Sequence, residues 1–432
     1  MKMSLFQVIL IGVFGLGALI GLFVFATYTS NGGGEQIGSV VIWGVLSEDD
    51  MQATLTAIGQ TNTGLKSVSY VQKNPATLAS DLASAIATGA SPDLILASQE
   101  DIRTLAKFIT PISLGTLSIS MFTSTFIEGA GVFSAPGGYY GIPFLVDPLV
   151  LFYNRSILSS NGIAKPPATW EALTGLVSSV AILTPTRQIK RGLIALGTYN
   201  NVNNARGILS SLFLQTGVPL SSYSSNGLLS ANLGSTADVG VPAGQAVLGF
   251  YTQFTDPSKV SYTWNASLPN SRDMFLVGDL ALYLGYVSEA RYLRSANPNL
   301  NFNVALLPQR ATAQVKNVYG NIYSFMIPRG AKNGAGGYQV AVVLSNSAEQ
   351  SVASSLTGLA PVNLNVLADT PIDPVATVAY SEALYTRGWL SPASGDTDVI
   401  FSSMINNVIS GRLTLEAALG SAERALTALL QQ

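Results

Sequence analysis

The sequence has 432 residues, more than one ordinary hydrophobic core organises, so two compact lobes are expected. Charged residues make up only 11% of it, and 22 Lys and Arg against 24 Asp and Glu leave a net charge of -2, with no basic field to attract nucleic acid. The absence of His and Cys excludes His-dependent nucleophilic catalysis, His or thiolate zinc sites, disulfides and anchoring through a lipid-bearing cysteine.

Leu5 to Ala26 is apolar apart from Gln7, and about 20 such residues span a hydrocarbon core. Residues 1–28 therefore read as a transmembrane anchor, or as a cleaved signal ending near Val24-Phe25-Ala26. Lys2 precedes the span and no Lys or Arg follows it until Lys66, which places the rest of the chain outside the cell membrane in either case. Residues 29–37, with Asn31-Gly32-Gly33-Gly34, form a flexible linker. Ile37 to Trp43 and Leu65 to Val71 predict strands, with a helix between them. After Asn74-Pro75, Leu78, Leu82, Ala85 and Ile86 recur at helical spacing, Gly89 supplies a stop, and Asp93 opens the apolar run LILA. This alternation predicts an α/β lobe whose ligand lies beyond the carboxyl ends of the strands, near 43–49 and 97–101. Gly141-Ile142-Pro143 leads into a buried strand at Leu149 to Asn154. Thr169 is the expected N-cap of a helix with Glu171 in its first turn.

YYGIPFLVDPLVLFYNRSILSSNGIAKPPATWEAL, residues 139–173, resembles the central signature of the extracellular solute-binding protein family that includes maltose-binding protein. LASDLASAIATGASPDLILAS at 78–98, FLVGDLALYLGY at 275–286 and ISGRLTLEAALGSAERAL at 409–426 resemble further stretches of that family, in its order. The resemblance is poor near 200–260 and 360–400. It implies a two-lobed periplasmic-binding-protein-like fold with a hinge and an interlobe cleft. The first lobe would be 38–146 with 322–360, and the second 147–321 with 361–432. It also implies the receptor of an ABC importer, a monomer that delivers a small polar solute to permease subunits served by a separate ATPase. No P-loop, metal site or cofactor is expected in this chain.

A sugar cleft needs aromatic platforms and fixed hydrogen-bonding groups. The candidates are Glu48, Gln99, Glu100 and Asp147 among the polar residues, and Tyr199, Trp264, Tyr286, Tyr323 and Trp389 among the aromatic ones. Asp49, Asp101 and Asn200 stand beside them. The bland alternatives are core packing for the rings and helix-end carboxylates for the acids; Trp43 and Trp170 read as structural. Two rival functions use the same residues. One is a membrane-anchored sensing or adhesion receptor without transport, and the other a glycoside hydrolase pairing Asp147 with Glu48.

Overall fold

The computed structural model describes residues 37–234, 242–313 and 315–432, so the expected membrane span and nearly all of the linker lie outside the described residues. Among the described residues no helix is long and apolar enough to cross a membrane.

Eight main strands carry the fold: β1 (Val40–Gly44), β2 (Val68–Gln72), β3 (Leu94–Ser98), β4 (Gly141–Asn154), β5 (Ile189–Ile194), β6 (Leu280–Tyr286), β7 (Phe302–Ala305) and β8 (Val318–Met326). They follow one another across a continuous sheet in the order β2-β1-β3-β8-β4-β6-β5, with β7 also on β4. β1 pairs in parallel with both β2 and β3, Val40 facing Val68 and Ile42 facing Leu94. β3 is buried at every position, as an apolar strand covered on both faces must be. The helix Glu48–Thr61 crosses between β1 and β2. Its N-cap Ser47 accepts from the Asp50 amide, three acids fill its first turn, and Met51, Leu55 and Ile58 bury one face. The helix Leu78–Ala87 buries Leu78, Leu82 and Ala85 at the expected spacing.

Two strands are longer than the sequence pattern suggests, and both pass from one lobe to the other. β4 pairs with β8 from Gly141 to Pro148 and with β6 from Leu149 to Tyr153, and is buried almost throughout. Pro143 would interrupt a regular ladder, since it has no N–H to give. It sits where the register slips between Tyr323 and Ser324 of β8, a bulge that tolerates the missing donor. β8 in turn pairs with β3 through Tyr323–Met326 and with Thr386–Arg387 through Val318–Tyr319. A third segment, Ala360–Pro361, pairs with Val146 and Leu145. Three segments thus run side by side in the middle of the sheet.

Smaller departures have local causes. β1 begins at Val40 rather than Ile37 because Gly38 has φ +72°, outside strand geometry. Thr63–Ser67 is a turn of 3-10 helix, so β2 starts only at Val68. Thr169 caps its helix as expected, accepting from the Ala172 amide at 3.3 Å. Trp170 is structural, buried with its indole N–H on Gln215 at 2.7 Å. The closing helix Leu415–Leu430 is capped by Thr414 and buries Ala418, Leu419, Ala422 and Leu426.

Candidate functional site

The crossing strands bring a polar cluster together where the two lobes meet. Its first element is the turn after β3, a capping box in which Ser98 and Asp101 satisfy each other's backbone. That turn fixes Glu100, whose Oε2 lies 2.5 Å from Nη1 of Arg206 in the second lobe. The Tyr319 hydroxyl on β8 donates to the other oxygen of Glu100. Arg206 lies in the first turn of the helix Ala205–Leu214. The preceding Asn204 adopts a left-handed φ of 61°, a conformation Asn tolerates better than most residues. Asn204 is held there by Glu289 at 2.6 Å and by the Tyr283 hydroxyl at 3.2 Å. Nε of Arg206 reaches Asp398 at 3.5 Å, and the Tyr199 hydroxyl donates to the same carboxylate oxygen at 2.5 Å. Burial works against the charge of Arg206, but Glu100, Tyr319, Tyr286 and Asp398 together outweigh it and keep the guanidinium protonated.

Beside this network lie the aromatic and acidic residues of the crossings. Tyr286 ends β6, and its hydroxyl lies only 2.5 Å from where a Cβ on Gly207 would stand; the glycine admits the ring. Tyr323 on β8 is deep in the molecule yet keeps part of its surface, and Asp147, Tyr286 and Asp101 all act on it. Asp147 is 5% exposed, and both its oxygens are taken by Ser288, through the amide at 3.0 Å and the hydroxyl at 2.6 Å. Burial pushes its carboxyl up to about 7 against those hydrogen bonds, and burial likewise pushes Asp101 up to about 6.

Of the sequence candidates, Glu100, Tyr286, Tyr323 and Asp147 therefore gather at the lobe junction, with Tyr199 beside them. The others are placed differently. Trp264 is fully buried in the core with its indole N–H on Asn201 at 3.3 Å. Gln99 is also fully buried. Its side chain braces β8, donating to the Gly320 carbonyl at 3.1 Å and accepting from the Ile322 amide at 2.6 Å. Trp389 is buried against Phe401 and donates to Ser210 at 3.2 Å. Glu48 is exposed at a helix start, with its amide on Gln72. Among the described residues no hydrogen bond joins it to Asp147, whose oxygens are held by Ser288. Asp49 is exposed in the same first turn, and Asn200 accepts from Ser402 at 3.0 Å. Trp43 lies under the ammonium of Lys73 at 3.8 Å.

Arg206, Asp398 and Tyr319 were not among the sequence candidates. Arg206 had one legible signal: a lone cation heading the otherwise apolar helix ARGILSSLFL in a chain with few charges. Two further ion pairs join the lobes, Arg291 to Asp50 at 3.1 Å and Arg387 to Glu128 at 2.5 Å. Near the first of these a cavity of about 520 Å³ opens between the helices Glu289–Ala296 and Ser347–Thr357, with Ser288 in its wall.

The profile of the bacterial extracellular solute-binding protein family matches residues 53–379. No curated protein sequence matches the chain. Among solved structures, the chain is similar to a cyclo/maltodextrin-binding protein complexed with maltotetraose, at 15% identity and a TM-score of 0.73 over 93% of this chain and 99% of that one. It is also similar to a cyclic alpha-maltosyl-1,6-maltose binding protein from Arthrobacter globiformis, at 15% identity and a TM-score of 0.72 over 91% and 99%. A sugar-binding protein from Xanthomonas citri aligns at 17% identity and a TM-score of 0.72 over 91% and 97%.

Proposed function

The chain belongs to the bacterial extracellular solute-binding protein family, and from that premise we propose that it is the receptor of an ABC importer, closing its two lobes on a sugar or oligosaccharide. The observation that carries the reading is the polar cluster at the junction, where Glu100 of one lobe and Arg206 of the other lie beside Tyr286 and Tyr323, two residues that keep part of their surface. Rings that can lie against C–H faces, with charged and hydroxyl groups around them, suit a polyhydroxylated ligand. Similar folds that bind maltodextrin-type ligands support the same class. The lobes are taken as 38–146 with 322–360 and 147–321 with 361–432, hinged where β4, β8 and Ala360–Pro361 cross. Residues 1–28 tether the receptor to the cell membrane as a single span, and 29–37 give it reach; permease subunits and a separate ATPase receive the solute from this monomer. A solute stabilises the closed form only by binding it better than the open one. The test is a thermal-shift panel of maltooligosaccharides, mannotriose, monosaccharides and polyols. At least one sugar should raise the melting temperature in proportion to the logarithm of its concentration, and a panel without any shift contradicts the proposal.

A further inference from the structure

We infer that the cleft admits uncharged polyhydroxylated solutes and rejects anionic ones, with Glu100 and Arg206 acting as the pair that decides. The inference rests on the sugar-receptor reading above and deepens it. The guanidinium of Arg206 is the obvious seat for a uronate or a sugar phosphate, but it is already engaged on both sides, by Glu100 at 2.5 Å and by Asp398 at 3.5 Å. The charged groups acting on it are these two acids, so the network carries one positive charge against two negative ones. Further along the junction Asp147 has Glu289 as its charged neighbour, with Arg272 paired to Glu289 at 3.8 Å, and Asp101 has Glu100 beside Arg206.

An anion that approaches Arg206 adds a third negative charge beside Glu100 and Asp398, and one that takes Nη1 leaves Glu100, which is only 7% exposed, buried without its partner. A hydroxyl faces no such conflict. It donates to Glu100 and accepts from Arg206, inserting between the lobes while both charges stay satisfied. The Tyr319 hydroxyl, already donating to Glu100, holds the carboxylate in place as the guanidinium is shared. Discrimination of this kind comes from what the wrong ligand leaves unpaired rather than from extra contacts to the right one.

The test is calorimetric titration of the full-length chain, kept in a sugar-free detergent, with neutral maltotriose and mannotriose and with anionic trigalacturonate and maltose 1-phosphate. A neutral probe should bind at least tenfold more tightly than every anionic one. Glu100→Gln, checked for an unchanged melting temperature without ligand, should narrow that gap at least threefold by removing the competing charge. Anionic probes that bind the unaltered chain as tightly as neutral ones overturn the inference and leave the sugar-receptor reading standing. A gap unchanged in a folded Glu100→Gln overturns the role of this pair. No binding of these probes or of any compound in the thermal-shift panel sinks the sugar-receptor reading itself, and this inference with it.

Discussion

Glu382 is a carboxyl that the cleft does not use, and it makes a sharp prediction about stability. It is 1% exposed on the helix Pro374–Ala383, and its Oε1 accepts from the amide of Leu307. Burial pushes its carboxyl from an ordinary 4.5 up to about 8, while the Leu307 hydrogen bond and Lys316 pull the other way without prevailing. The folded protein therefore keeps this proton over a range where the unfolded chain has lost it. Stability from Glu382 is fully present below pH 4.5 and is lost as pH rises towards 8. At ~1.4 kcal/mol per pH unit, the loss between pH 5 and pH 8.5 is on the order of 4 kcal/mol. Glu382→Gln keeps an acceptor for Leu307 and removes the titration. Any cost of its new amide N–H groups is the same at both pH values, so it cancels in the comparison. Guanidinium denaturation of both proteins at the two pH values should show the unaltered chain losing about 4 kcal/mol more than the variant. Equal pH dependence in the two proteins would refute the argument that burial keeps Glu382 neutral.

Other substitutions separate the roles of the junction residues. Arg206→Met leaves Glu100 buried beside an apolar group and should lower stability by roughly 3 kcal/mol in denaturant titrations. Arg291→Met breaks a half-exposed pair with Asp50 and should cost under about 1 kcal/mol. Gly207→Ala places a methyl 2.5 Å from the Tyr286 hydroxyl and near Leu149 and Tyr319, so a melting curve should show about 1–3 kcal/mol of overpacking. Tyr286→Ala should weaken sugar binding by roughly 1–3 kcal/mol in calorimetry if its ring lies against the solute. Unchanged affinity with lowered stability would assign Tyr286 to packing alone.

The fold was more legible in the sequence than the site was, and the reason is physical. Regular elements announce themselves through spacing that any local window contains. Leu78, Leu82 and Ala85 mark one helix face, and Thr169 with Glu171 marks a helix start; both are where they were expected. The crossing strands were only half visible. Pro143 hid the first part of β4, because the bulge that accommodates it depends on β8, nearly two hundred residues away in the chain. The aromatic candidates show the limit most clearly. Trp264 and Trp389 carry large rings in loop-like sequence, yet each gives its indole N–H to a neighbour and packs inside. Nothing local distinguishes them from Tyr286, whose setting depends on Gly207 being free of a side chain. Arg206 was missed for the same reason: its partners come from residues 100 and 398, and no local spacing relates them.

The central claim, that two lobes shut on a solute, is open to one direct measurement. The chain has no cysteine, so spin labels can be attached at Gln60→Cys in the first lobe and Lys165→Cys in the second, both exposed positions. Pulsed electron-electron resonance then reads the distance between the lobes with and without a saturating sugar from the thermal-shift panel. The account predicts that the sugar collapses a broad or two-component distribution onto its shorter component. A distribution left unchanged by a sugar that demonstrably binds would contradict it.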